Sequence, residues 1–232
     1  VPAWWWRRLQ LSPNTHRSFS QELPSWRGRI HRIAALTFPL LALRLVLLAP
    51  QGRARWAAIA FGVAMETMLA TSALVHLRRW GVWTTEVLFR ADHTAIFVAI
   101  AGTGTPVALL ALQGTPRVAL LASAWGLVLV GLLVVWHPAP TPEGFANSAF
   151  ISLGGVIAVF VPTAAARAGA GFVVLLAAGG LVYTVGAVLV ALQRPNPRPG
   201  VFGYHEVWHT MVVVALLVHL VMVEATLLPL AG

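Results

Sequence analysis

Seven apolar stretches divided by short polar connections set the pattern of this chain. They fall at residues 33–49, 56–77, 88–112, 117–136, 145–165, 169–192 and 204–229. Each is near the ~20 residues a helix needs to cross a hydrocarbon core. The connections carry turn formers, as in Pro50-Gln51-Gly52, Gln113-Gly114-Thr115-Pro116, and the proline-rich stretches 137–144 and 194–200. No stretch is left over for a soluble domain. The pattern predicts an all-α membrane protein with seven transmembrane helices over residues 33–232, behind a basic, tryptophan-rich segment at 1–32. That segment has no apolar core of the kind a signal peptide needs, so no cleaved leader is expected.

Composition agrees with the pattern. The 232 residues are 58% hydrophobic and 10% charged, against about a quarter charged in a soluble domain. Cysteine is absent, which excludes disulfides and thiolate metal ligands; His, Asp, Glu, hydroxyls or water must hold any metal. The net charge of +9 comes from sixteen arginines. They lie mostly between the apolar runs, where they read as topology signals rather than as a nucleic-acid surface. Eleven fall on the N-terminal side of the spans and four on the other, with Arg44 inside the first run. The excess predicts a cytoplasmic N-terminus, an outer C-terminus and residence in the cell membrane. Trp4, Trp5, Trp6, Arg7 and Arg8 suit a headgroup layer, or else form a charged tail. Glycines 154, 155, 179, 180 and 186 are expected to let helices approach closely.

Several polar residues inside the spans then meet at one level. His205 and His209 stand at the start of the seventh run, four residues apart. On a helix that spacing turns about 400° and rises ~6 Å, so the two imidazoles point the same way. It is the spacing with which one helix offers a metal two nitrogens; each ring bonding a neighbouring carbonyl is the plain alternative. Ser72 and His76, also four apart, end the second run on the same membrane side, and Asp92 and His93 enter the third. Three histidines plus a water held by a carboxylate fit a four-coordinate zinc site with one exchangeable position. Asp92 either ligates directly or holds a water and acts as its base, with a pairing to Arg90 as the structural alternative. Ser72 can orient a ligand or bond a substrate oxygen. His93 points about 100° away from Asp92 and reads as structural.

In this order and on seven spans, four motifs resemble one known family. They are Pro24-Ser25-Trp26-Arg27-Gly28-Arg29-Ile30-His31 and Ser72-Ala73-Leu74-Val75-His76, then the third-span stretch from Arg90-Ala91-Asp92-His93 to Phe97, continued by Ala101 to Pro106. The fourth is Phe202-Gly203-Tyr204-His205-Glu206-Val207-Trp208-His209. The chain is similar to the hemolysin III proteins, grouped with the progestin and adipoQ receptors and related to adiponectin receptors and alkaline ceramidases. The resemblance implies zinc bound by His76, His205 and His209, Asp92 on the zinc water, Ser72 close by and a cytoplasmic N-terminus. Val75 and Gly104 depart from it, each standing where tyrosine is common, so substrate fit does not carry over.

His205-Glu206-Val207-Trp208-His209 also spells the His-Glu-x-x-His of zinc proteases, with Glu206 as base; no third ligand for that reading stands out in the sequence. Glu66 lies near mid-membrane, His219 and Glu224 nearer the outer end of the seventh helix. His31 reads as an interfacial anchor, and Arg44 as a side chain snorkelling outward. The leading expectation is zinc-dependent hydrolysis of a ceramide-like lipid amide, with Asp92 and Ser72 in the reaction and membrane lipids as partners. A sensor or membrane-homeostasis protein with structural zinc is second, and a pore third.

Overall fold

The computed structural model describes residues 11, 23–138 and 145–231. Among them seven α-helices follow in order: α1 Arg29–Leu48, α2 Arg53–Val75, α3 Val82–Pro106, α4 Gly114–Val135, α5 Phe145–Val159, α6 Val161–Leu192 and α7 Tyr204–Met222. Apolar runs of this length fold as helices because backbone groups in hydrocarbon must find their hydrogen bonds internally. Six helices are long and apolar enough to cross a membrane; α5 is shorter. The outward surface is hydrocarbon: Leu36, Leu40 and Leu47 on α1 are 79%, 71% and 70% exposed, as lipid-facing side chains are and those of a soluble surface are not. The chain is an all-α, multi-pass membrane protein. Trp4 to Arg8 lie outside the described residues.

The core packs along α2, α3 and α7, where Phe61, Met65, Leu69 and Leu216 are buried. Two boundaries differ from the hydrophobic pattern. The fifth apolar run is broken at Phe160, between α5 and α6, and α6 itself is kinked at Gly169, whose φ of 76° and ψ of −178° interrupt the helix. The expected gap before residue 169 therefore corresponds to this kink. The third helix starts at Val82 instead of near residue 88. Those added turns carry Glu86, fully buried, whose Oε1 accepts Arg90 Nε at 2.6 Å. Arg90 Nη1 also donates to the carbonyls of Val135 and His137 at 2.6 and 2.7 Å. A cation thus sits on the carbonyl end of α4, where the helix dipole favours it.

At the opposite end, α3 runs into a π-helical turn, Val107–Ala111, and α7 into another, Val223–Leu227. Glu224, on the second, accepts both Nη atoms of Arg44, at 2.5 and 2.7 Å. Arg44 is accordingly paired across helices, where the sequence reading had it snorkelling. The glycines divide. Added Cβ atoms at Gly179 and Gly186 would meet His219 and Trp208 at under 3 Å, whereas Gly154, Gly155 and Gly180 face open space.

Candidate metal centre

Local rules at the start of α7 place two histidines. The first N–H groups of a helix lack partners inside it. Here Glu206 reaches back to accept the Gly203 N–H at 2.8 Å, as in a capping box, and Asn196 Oδ1 accepts the Tyr204 N–H at 3.0 Å. With the first turn so fixed, His205 and His209 share a face. His76 stands at the C-cap of α2, its N–H donated to the Ser72 carbonyl at 3.4 Å. The segment before α1 closes over this corner: Ser25 and Trp26 N–H groups donate to the Gly200 and Val201 carbonyls at 3.0 and 3.1 Å. Gly28 then passes so near His76 that an added Cβ would lie 2.3 Å from His76 Cβ. Its φ of 74° is one that glycine adopts without penalty.

The structure brings His76, His205 and His209 together, one ring nitrogen from each lying within 4.8 Å of the others. The Nε2 atoms of His76 and His205 are 3.3 Å apart and their ring planes cross at 85°. Two nitrogens bound to a tetrahedral zinc at 2.0–2.1 Å lie about 3.3 Å from each other. The donor set and its spacing therefore fit a metal ion. Asp92 is not one of the converging residues. It lines the same cavity, as does Ser72, which sits against its carboxyl. Arg90, the alternative partner for Asp92, is occupied by Glu86 and the end of α4. His93 Nδ1 donates to the Phe89 carbonyl at 2.8 Å, within its own helix.

Glu206 does not face the trio as a protease base would. Its Oε1 accepts Arg27 Nε at 2.6 Å and its Oε2 takes the Gly203 N–H, so both oxygens are committed to the fold. Sequence reasoning missed the place of His31. The side chain is buried and stacks on His209, with ring centroids 3.9 Å apart and planes within 4°; neither ring nitrogen has a hydrogen-bond partner among the described residues. The available signal was the Pro24–His31 motif, which marks the position without saying what it touches.

A cavity of about 1000 Å³ reaches the trio. From His76 and His209 it runs between α3, α5, α6 and α7, past Ile100, Leu176 and Val212, as far as His219. The open-faced Gly154, Gly155 and Gly180 are part of its wall.

Comparison with known proteins agrees with the motifs. Residues 19–220 match the family model described as "Haemolysin-III related". "Hemolysin-3 homolog" of Bacillus subtilis (strain 168) is 31% identical over 181 residues, 76% of this chain and 81% of the relative. "Hemolysin-3" of Bacillus cereus is 32% identical over 184 residues, 77% of this chain and 80% of the relative. With seven helices, the converging histidines and a family match across most of its length, the chain belongs to the haemolysin III family.

Proposed function

We propose that this protein is a zinc-dependent membrane hydrolase of a ceramide-like lipid amide, with His76, His205 and His209 as the metal ligands. The observation that carries the reading is that the trio opens onto a long cavity walled mainly by hydrocarbon. A site that only tied helices together would need no such space, and the volume is of the size that ligand pockets have. Bound zinc would supply a Lewis acid that polarises a carbonyl and lowers the pKa of water to about 7. The chain's own groups would do the rest. The Asp92 carboxylate takes the proton of the attacking water and returns it to the departing amine. Ser72, against that carboxyl, fixes its orientation. The apolar walls hold the acyl chain and keep bulk water away. The amide C–N bond breaks, a C–O bond to the water oxygen forms, and a fatty acid and an amine leave.

The competing reading is a membrane sensor in which zinc ties α2 to α7, and the ligands do come from those two helices. Elemental analysis of purified protein should find about one zinc per chain, lost on His76→Ala, His205→Ala or His209→Ala. Asp92→Asn should keep the metal and the fold yet lose lipid-amide cleavage by ~100-fold or more, the scale for losing a general base. Suppose instead that zinc-loaded wild type cleaves nothing in a broad panel of lipid amides and esters, and that Asp92→Asn lowers thermal stability alone. The sensor reading then replaces the hydrolase.

A further inference from the structure

The far end of the cavity is polar where hydrocarbon would be expected. His219 is 4% exposed and lines it. Its Nε2 is 3.4 Å from the Leu176 carbonyl, an interaction that requires the proton on Nε2 and leaves Nδ1 as an acceptor. That Nδ1 has no partner. Beside it stands Tyr183, ring centroids 5.8 Å apart, also in the cavity wall, its hydroxyl without a hydrogen-bond partner among the described residues. Two threonines along this wall are satisfied by their own helices. Thr184 donates to the Gly180 carbonyl at 2.8 Å and Thr103 to the Ala99 carbonyl at 3.1 Å.

Space has been made for the imidazole as well. An added Cβ at Gly179 would sit 2.3 Å from His219 Nε2, so α6 gives up a side chain where α7 carries this ring. An unpartnered buried polar group costs on the order of 1–3 kcal/mol, and native structures rarely keep one without a use. His219 is ten residues beyond His209 on one helix, which places it about 15 Å further along.

We propose that His219 and Tyr183 form a second polar subsite, which binds a hydroxyl part-way along the ligand's hydrocarbon chain. The ligand class is then a long-chain amphiphile with two polar points, one at the histidine trio and one about 15 Å down the chain. A hydroxyl suits the subsite better than a ketone: it can accept from the Tyr183 hydroxyl and, once the His219 ring turns to bring its covered Nδ1 to the cavity, donate to that nitrogen. The inference rests on the proposal that the cavity holds a long-chain ligand, but not on any reaction there.

Two alcohols that cannot be hydrolysed separate the questions. Ricinoleyl alcohol carries the mid-chain hydroxyl, and oleyl alcohol is the same chain without it. Calorimetric titration of the full-length protein in nanodiscs should show ricinoleyl alcohol bound about fivefold more tightly, as one net hydrogen bond predicts. Tyr183→Phe should bring the two affinities to within about twofold of each other, and His219→Phe should do the same. Tyr183→Phe keeps the ring and removes one oxygen, so it reports even if His219→Phe does not fold. Equal affinities in wild type would overturn the subsite. So would a preference that survives Tyr183→Phe, or failure of both alcohols to bind. If the preference is found and lipid amides are not cleaved, the hydrolase proposal falls and the subsite stands. Cleavage without the preference has the reverse meaning.

Discussion

Replacing Gly28 with alanine should weaken metal binding from a position that carries no ligand. Two costs arise. At a φ of 74°, alanine sits in the left-handed region, at about 1–2 kcal/mol. The new Cβ would also fall 2.3 Å from His76 Cβ. That neighbour is the rigid base of a side chain, so the segment before α1 or His76 itself must move by roughly 1 Å, and overpacking of this kind costs about 1–3 kcal/mol. Together the expected loss of stability is about 2–5 kcal/mol. The metal site should feel the second cost in particular. Ligand distances tolerate only about ±0.2 Å, and a displaced His76 moves its Nε2 away from the partner 3.3 Å off on His205.

Gly114→Ala is the control, since Gly114 has a φ of 55° and nothing within 4 Å of an added Cβ. It incurs the backbone cost without the collision. Zinc affinity by chelator competition and thermal melting in detergent should be measured for both variants. Gly28→Ala should lose about tenfold or more in affinity, the scale of a disturbed ligand support, and melt well below Gly114→Ala. Indistinguishable affinities and melting points for the two would show that the packing of Gly28 on His76 plays no part in holding the site.

Glu86→Gln should destabilise the protein by about 1–3 kcal/mol, because a neutral amide replaces the carboxylate that accepts from the buried Arg90 cation; chemical denaturation of wild type and variant gives the difference, and no measurable change would refute the role of the pair. Glu206→Gln should keep metal and any lipid-amide activity within a few-fold, since Glu206 serves Arg27 and the Gly203 N–H. A thousandfold loss with zinc retained would restore the protease-like role. The arginine excess predicts a cytoplasmic N-terminus, so a reporter active only in the cytoplasm should work fused at the N-terminus and be silent at the C-terminus. The opposite pattern would also move the histidine trio to the other membrane face.

What could be read from the chain alone follows from the range over which each interaction acts. His205 and His209 lie four residues apart on one helix, so their shared face is a property of the helix and was legible. That His76 joins them was readable only through topology, because alternation of direction along the spans puts the end of α2 and the start of α7 on one side. Glu86 was lost for a local reason. Val82-Trp83-Thr84-Thr85-Glu86 has no apolar periodicity, and its helix is held by Arg90 reaching the carbonyl of Val135, forty-five residues away. The Phe160 break is hidden inside a continuous apolar run.

His31 and Arg44 show the same limit from two directions. A histidine at a helix entry reads alike whether it meets headgroups or stacks on another imidazole, and His209 is a whole bundle away in sequence. The Arg44–Glu224 pair spans 180 residues, so each charge looked like a solitary group that must find water. Solitary charges in a span are costly, and the cost itself is informative: a polar residue deep in an apolar run announces that a partner exists without naming it. Glu86, Arg90, Arg44 and Glu224 have found theirs within the chain. His219 Nδ1 and the two nitrogens of His31 have not. Both of these residues line the cavity that reaches the trio. Of the five buried polar atoms without a partner among the described residues, these three belong to residues that line the cavity, while Arg55 Nε and Glu66 Oε2 belong to residues that do not. The larger share lies where a ligand would, as expected of a binding site more than of a helical bundle closed upon itself.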